Sequence, residues 1–156
     1  MSKLLFTIPL LFLLVFISGC AQQEAGGVTG GATAGAAMQG FLDNVIAGNY
    51  ESAINQMINF KGESPSADVK DDLISNWEAN LISSYQIISE SDVSATELAE
   101  IFRQFPDSAE TAEALFSEWK QVTITFEIQQ QPDIGTVGAP YLVVKHEGEW
   151  KIIFFN

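Results

Sequence analysis

The fifteen residues from Tyr141 to Phe155 constrain the fold more than any other stretch of the chain. Tyr141-Leu142-Val143-Val144-Lys145-His146 and Glu149-Trp150-Lys151-Ile152-Ile153-Phe154-Phe155 flank Glu147-Gly148, which reads as the two-residue turn of a β-hairpin. The turn sets the register, and in a strand the register decides which face every side chain takes. On one face Trp150 is expected opposite Lys145, Ile152 opposite Val143 and Phe154 opposite Tyr141. On the other, His146 meets Glu149, Val144 meets Lys151 and Leu142 meets Ile153. Both faces are partly apolar, so the hairpin needs a covering layer on each side.

Just upstream, Val122, Ile124, Phe126 and Ile128 alternate with Thr123, Thr125, Glu127 and Gln129, the clearest period-two run in the sequence. A Pro/Gly loop is expected from Gln131 to Ala139. Leu81 to Ser91 alternates imperfectly and is read as a further strand. Helical spacing dominates elsewhere. Met38, Phe41, Leu42, Val45 and Ile46 share a face, and Gly48 supplies a stop. Asn49 is placed to cap a second helix burying Tyr50, Ala53, Ile54, Met57 and Ile58. Phe60 to Pro65 reads as a loop. A third helix turns Val69, Leu73, Ile74 and Trp77 inward. Ser94-Ala95-Thr96-Glu97 forms a capping box ahead of Leu98, Ile101, Phe102 and Phe105. Pro106 breaks that helix, and a last one turns Ala112, Leu115, Phe116 and Trp119 inward. The expectation is one α+β domain over residues 38–156, with N-terminal helices packed on an antiparallel sheet of about four strands.

The N-terminus has another character. Met1-Ser2-Lys3 precedes an apolar run from Leu4 to Ile17, which is shorter than the about 18–20 residues of a spanning helix and carries Pro9 at its centre. It ends in Ile17-Ser18-Gly19-Cys20, which resembles the lipobox of prokaryotic lipoproteins. The resemblance implies that Cys20 receives a diacylglyceryl thioether and that residues 1–19 are removed as a signal peptide. A thiolate is the nucleophile S-alkylation needs, and two acyl chains give stable attachment where one is marginal. Residues 20–37 then read as the lipidated cysteine and a flexible Gly/Ala-rich tether. The protein is thus expected on the cell membrane or outer membrane, facing the extracytoplasmic side.

Charge bears on partners. With 20 acidic against 7 basic side chains, the formal charge is −13. That excludes the basic footprint of nucleic-acid binding. An anionic body is repelled by anionic headgroups, so the lipid has to hold it to the membrane. The single cysteine excludes an intramolecular disulfide framework and any multi-cysteine metal site.

Two stretches carry a family resemblance. Phe41-Leu42-Asp43-Asn44-Val45-Ile46-Ala47-Gly48-Asn49-Tyr50-Glu51-Ser52-Ala53 resembles the opening of the nuclear transport factor two-like (SnoaL-like, cystatin-like) superfamily, with its apolar helix, Gly-Asn-Tyr step and second helix. Val144-Lys145-His146-Glu147-Gly148-Glu149-Trp150-Lys151-Ile152 resembles its closing hairpin. The resemblance implies a cone of helices on a strongly curved sheet, with a pocket at the open end. The chain departs from it between Ser94 and Trp119, where two helices are read in place of strands. That extra pair is placed to plug or replace the pocket.

Enzymes of that fold, the ketosteroid-isomerase-like and SnoaL-like ones, set a pocket Asp or His against polar donors. Asp43, Tyr50, Tyr85, Asp92, Tyr141 and His146 are the side chains of that kind here. None falls in a catalytic motif, so no catalytic residue is assigned and no cofactor is expected. Asp68, Asp71 and Asp72 sit in the first turns of a helix, where carboxylates offset the macrodipole; no metal is expected. The candidate ligand-binding set is Phe126, Trp150, Ile152 and Phe154 on the sheet, faced by Tyr50 and Met57 from the second helix. The functional expectation is a non-catalytic domain binding a small apolar ligand or a protein partner. The alternatives are an enzyme of the fold above and a structural subunit dimerising through the outer sheet face.

Overall fold

The computed structural model describes residues 32–129 and 136–155. The expected signal peptide, Cys20, most of the expected tether and part of the expected Pro/Gly loop lie outside the described residues. The chain runs α1 (Ala34–Ile46), α2 (Tyr50–Ile54), β1 (Met57–Ile58), α3 (Ala67–Ala79), β2 (Ile82–Asp92), α4 (Ala95–Gln104), a 3-10 turn (Pro106–Ser108), α5 (Ala109–Leu115), β3 (Phe116–Ile128), β4 (Thr136–His146) and β5 (Glu149–Ile153). The strands form one sheet in the order β1-β5-β4-β3-β2. The class is α+β, as expected, but the sheet has five strands and is mixed.

The hairpin forms around the expected turn. Glu147 and Gly148 both have positive φ, 53° and 86°, the pair of left-handed residues a type I′ turn requires. Val143 pairs with Ile152, Val144 with Lys151, Lys145 with Trp150 and His146 with Glu149. The expected pairs Leu142–Ile153 and Tyr141–Phe154 do not form part of this ladder. The chain is instead captured by β1, which lies parallel to β5 with Met57 beside Ile152 and Ile58 beside Ile153. The Ile152 amide donates to the Gln56 carbonyl at 2.8 Å and the Phe154 amide to the Ile58 carbonyl at 3.1 Å. Met57 and Ile58 are therefore strand residues, not the end of the second helix.

Each face of the sheet has its own core. Val122, Ile124, Val143, Trp150 and Ile152 point to one side, where they meet Met38, Phe41, Leu42 and Val45 of α1. Leu142, Val144 and Ile153 point to the other, where Phe60, Phe102, Ala112 and Phe116 cover them. The two-sided burial read from the hairpin is thus met by α1–α3 on one face and by α4, the 3-10 turn and α5 on the other.

Three boundaries differ from the sequence reading. Helix α1 begins at Ala34, ahead of Met38, because Ala34 and Ala37 are small enough to lie fully buried under the first turn. Helix α5 stops at Leu115, and Phe116 and Trp119 join β3, paired with His146 and Val144 of β4. Strand β4 starts at Thr136 instead of Tyr141. Strand β2 is confirmed, and its imperfect alternation has a cause: its pairing with β3 slips between Ile82 and Ser84 and between Ile87 and Ser89. Each bulge adds one residue and reverses which parity faces inward. Tyr85 and Ile87 pack on the α1 side, while beyond the second bulge Glu90 lies opposite Val122.

Candidate functional site

The candidate ligand-binding residues are drawn together on the α1 side of the sheet. Met57, Trp150, Ile152 and Phe154 lie in one buried cluster with Phe41 and Leu42, none more than 7% exposed. Phe126 packs against its edge. Tyr50 stands half-buried with its ring 5.7 Å from that of Trp77, which packs on the same cluster. Met57 does not face the sheet from a helix; it lies within the sheet, beside Ile152. Side chains this well covered contribute about 1.5–3 kcal/mol each through removal from water. Chemically the cluster is an interior.

Of the polar candidates, Asp43 and Tyr85 come together. Strand β2 carries Tyr85 under the exposed flank of α1, where its hydroxyl donates to Asp43 Oδ1 at 2.6 Å. Burial, then this hydrogen bond and the negative charge of Asp43, hold the phenol far above its ordinary range. Tyr85 is therefore a neutral donor whose proton is already committed to Asp43, and it is not free to stabilise an oxyanion. Tyr141, half-buried on the same face, has its phenol pushed up by burial.

The other candidates are dispersed. Asp92 accepts from Lys120 Nζ at 2.7 Å. His146 sits at the hairpin end with its ring edge-on to Phe116 at 5.7 Å. Asp68, Asp71 and Asp72 are exposed on α3. Among the described residues no group of three or more His, Cys, Asp or Glu side chains is arranged to hold a metal ion.

Two built features escaped the sequence reading. At the start of α1, Thr33 Oγ1 accepts from the Ala36 amide at 3.1 Å, and Glu90 Oε2 accepts from the Gly35 amide at 2.8 Å. A side-chain cap and a carboxylate from β2 thus share the free N–H groups of one helix end. The second is the segment Asn59–Glu63 on the opposite side of the sheet. Asn59, 8% exposed, accepts through Oδ1 from the amides of Lys61 at 2.8 Å and Glu63 at 3.0 Å, while its Nδ2 donates to Glu63 Oε2 at 2.9 Å. The signal available was an Asn three residues before a Gly, a common turn signature.

Among the described residues no helix is long and apolar enough to cross a membrane. Compared with known proteins, the chain gives no significant match to a family model, to a curated protein or to a solved structure.

Proposed function

We propose that the chain is a lipid-anchored protein of the extracytoplasmic side whose α+β domain is a non-catalytic binding module, cone-like and related to the nuclear transport factor two-like superfamily. The observation that carries the anchoring is Ile17-Ser18-Gly19-Cys20 directly behind the apolar run Leu4–Ile17. The cone reading is supported by the way α1 touches β2, β3, β4 and β5 in turn, as a helix does when a sheet wraps around it. Of the two occupants, a protein partner is favoured over an apolar small molecule, because Met57, Trp150, Ile152 and Phe154 are already in contact with α1 and its neighbours. The enzymatic alternative is disfavoured by the engagement of Tyr85 with Asp43.

The test is the mass of the full-length product made in a prokaryotic host. The expected species begins at Cys20 and carries a diacylglyceryl group, while Cys20→Ser leaves the chain uncut and unlipidated. A Cys20→Ser form that still travels with membranes, uncut, overturns the reading.

A second reading, a homodimer built on the outer sheet face, is favoured by the charge pattern. The β2–β3 part of that face presents Ser84, Gln86, Ser89, Thr123, Thr125 and Glu127, and the Glu127 carboxylate already accepts from Ser84 Oγ at 2.9 Å. Two strongly acidic bodies meet with least repulsion there. Sedimentation of the full chain in detergent, with Thr125→Glu as the disrupting variant, decides it: a wild type that sediments as a monomer removes this reading.

A further inference from the structure

We propose that α3 is a strap that opens as one unit while the sheet and α1 stay folded, uncovering the rings of Phe41 and Tyr50 on the α1 side. The strap is fastened at both ends and held in its middle by three side chains. It depends on neither the lipid anchor nor a homodimer, so either reading can fail without the other.

The middle is lightly held. No residue of α3 is buried, whereas α1, with the same 13 residues, buries six. Val69, Leu73 and Trp77, spaced at i, i+4 and i+8, are the α3 side chains packed on the α1-side cluster, and each is only partly covered. Trp77 is the largest of the three. Its ring stands edge-on to Phe41 at 5.8 Å and tilted to Tyr50 at 5.7 Å. Among the described residues no hydrogen bond joins α3 to another element, and no ion pair does. Its attachment is apolar contact alone, and over a small area.

Little keeps this helix formed once it leaves the cluster. Ser66 stands at its N-cap without a side-chain hydrogen bond, while Thr33 and Ser94 cap α1 and α4. Asp68, Asp71 and Asp72 gain from the macrodipole but repel one another, since Asp68 lies three and four residues before the other two. A free helix of 13 residues is marginal in water. Departure from the cluster and loss of the helical hydrogen bonds are therefore one event.

The two ends are fastened without the help of α3. Ahead of it, the Asn59 side chain holds the amides of Lys61 and Glu63, and the Asn59 amide donates to the Glu63 carbonyl at 2.9 Å. Gly62 has φ 76°, and a Cβ there would come within 3.2 Å of Leu115 Cδ1. The loop is pressed onto α5 at a position that suits glycine, and Pro65 beyond it is buried. Behind α3, the Gln129 amide donates to the Leu81 carbonyl at 2.8 Å, which ties the chain to the end of β3. The open segment is thus a short loop between fixed points, and closing it again costs little chain entropy. The ladder from β1 to β2 is untouched throughout.

The test is hydrogen exchange of the full chain in detergent, followed amide by amide. The amides from Asp71 to Ala79 should share one level of protection, at least about a hundredfold below that of Leu42 and Val45 in α1. Dilute urea should change the α3 rates little and the α1 rates steeply, because opening the strap exposes little surface. Two variants separate the strap from the whole fold. Ile153→Val, on the opposite face of the sheet, should speed exchange at Leu42 and Val45 by about two- to tenfold and leave α3 unchanged, since Ile153 keeps its contacts when the strap is open. Trp77→Ala should speed both groups by about tenfold, since its contacts are lost in both openings. If Trp77→Ala fails to fold, the wild type and Ile153→Val decide. Protection of α3 equal to that of α1, a gradient of protection running in from its ends, or equal acceleration of both groups by Ile153→Val each overturns the proposal.

Discussion

The two faces of the sheet share strands β3–β5 yet are covered in different ways. On the α1 side one long helix supplies Ala34, Ala37, Met38, Phe41, Leu42 and Val45, which interlock with Val122, Ile124, Val143, Trp150, Ile152 and Phe154. On the other side the short helices α4 and α5 bury only Phe102 and Ala112 of their own. Aromatic rings in edge-on and tilted pairs fill the rest. A helix that lays six buried side chains on the sheet covers it along its whole length. Large flat rings at the margin of a layer leave a crevice where the layer ends. The contrast teaches that one helix carries most of the helical burial, while the other face is covered by helices that bury little of their own.

The contrast can be broken most directly by cutting one side chain from each layer. Ile152→Ala on the α1 side should cost about 2–5 kcal/mol, read by denaturant unfolding. Phe105→Ala, at the half-covered margin of the other layer, should cost less than about 2 kcal/mol, because only part of the ring leaves water. Equal losses would abolish the distinction. A smaller effect sharpens it at the entry to α4. Ser94 Oγ accepts from the Glu97 amide at 3.3 Å, and Glu97 Oε2 accepts from the Ser94 amide at 2.7 Å. Ser94→Ala should cost about 1 kcal/mol of stability.

Proton linkage gives the next effects. Hydrogen bonds from the Ser94 hydroxyl and amide hold the Glu97 carboxyl below its ordinary value. Its contribution is therefore present at neutral pH and lost as pH falls through the lowered value. The same Ser94→Ala change should return that carboxyl upward in a carbon-detected titration. Tyr85 behaves in the opposite sense. Its raised phenol keeps its proton in the folded chain after the unfolded chain has lost it, so stability falls as pH rises past the ordinary value of 10.0. Asp43→Asn removes the charge and should bring the phenol down, read by phenolate absorbance. The smallest expected change is local: Glu90→Gln should speed hydrogen exchange at the Gly35 amide without shifting the global transition.

Legibility in the sequence followed the range of the interaction that decides each element. The turn at Glu147-Gly148, the pairs Trp150–Lys145 and Ile152–Val143, and the capping box at Ser94 are all set by near neighbours, and each was readable. Met57 and Ile58 were misread because they continue the i, i+3, i+4 spacing of Tyr50, Ala53 and Ile54. Periodicity does not mark where a helix gives way to a pairing with β5, almost a hundred residues away. Phe116 and Trp119 extend the spacing of Ala112 and Leu115 in the same manner, and β4 claims them. The candidate set centred on Trp150 and Ile152 was legible as an apolar cluster, since alternation marks which residues turn inward. Alternation carries no information on whether a cavity is left among them. The segment Asn59–Glu63 was read only as a loop, because alternation and helical spacing say nothing of the bonds the Asn59 side chain makes to Lys61 and Glu63.

The bulges in β2 have a consequence at the scale of many molecules. A sheet can grow by adding strands wherever it offers a long, flat, unpaired edge. At one edge of this sheet β1 offers only Met57 and Ile58. At the other, β2 is kinked at Ser83 and again at Ile88, so the spacing of its outward amides and carbonyls is interrupted twice within one strand. Neither edge is a template for an incoming strand. If the proposed lipid anchor crowds copies onto a surface, they collide edge to edge far more often than in free solution. A sheet with one border truncated and the other broken keeps such collisions from seeding a fibre.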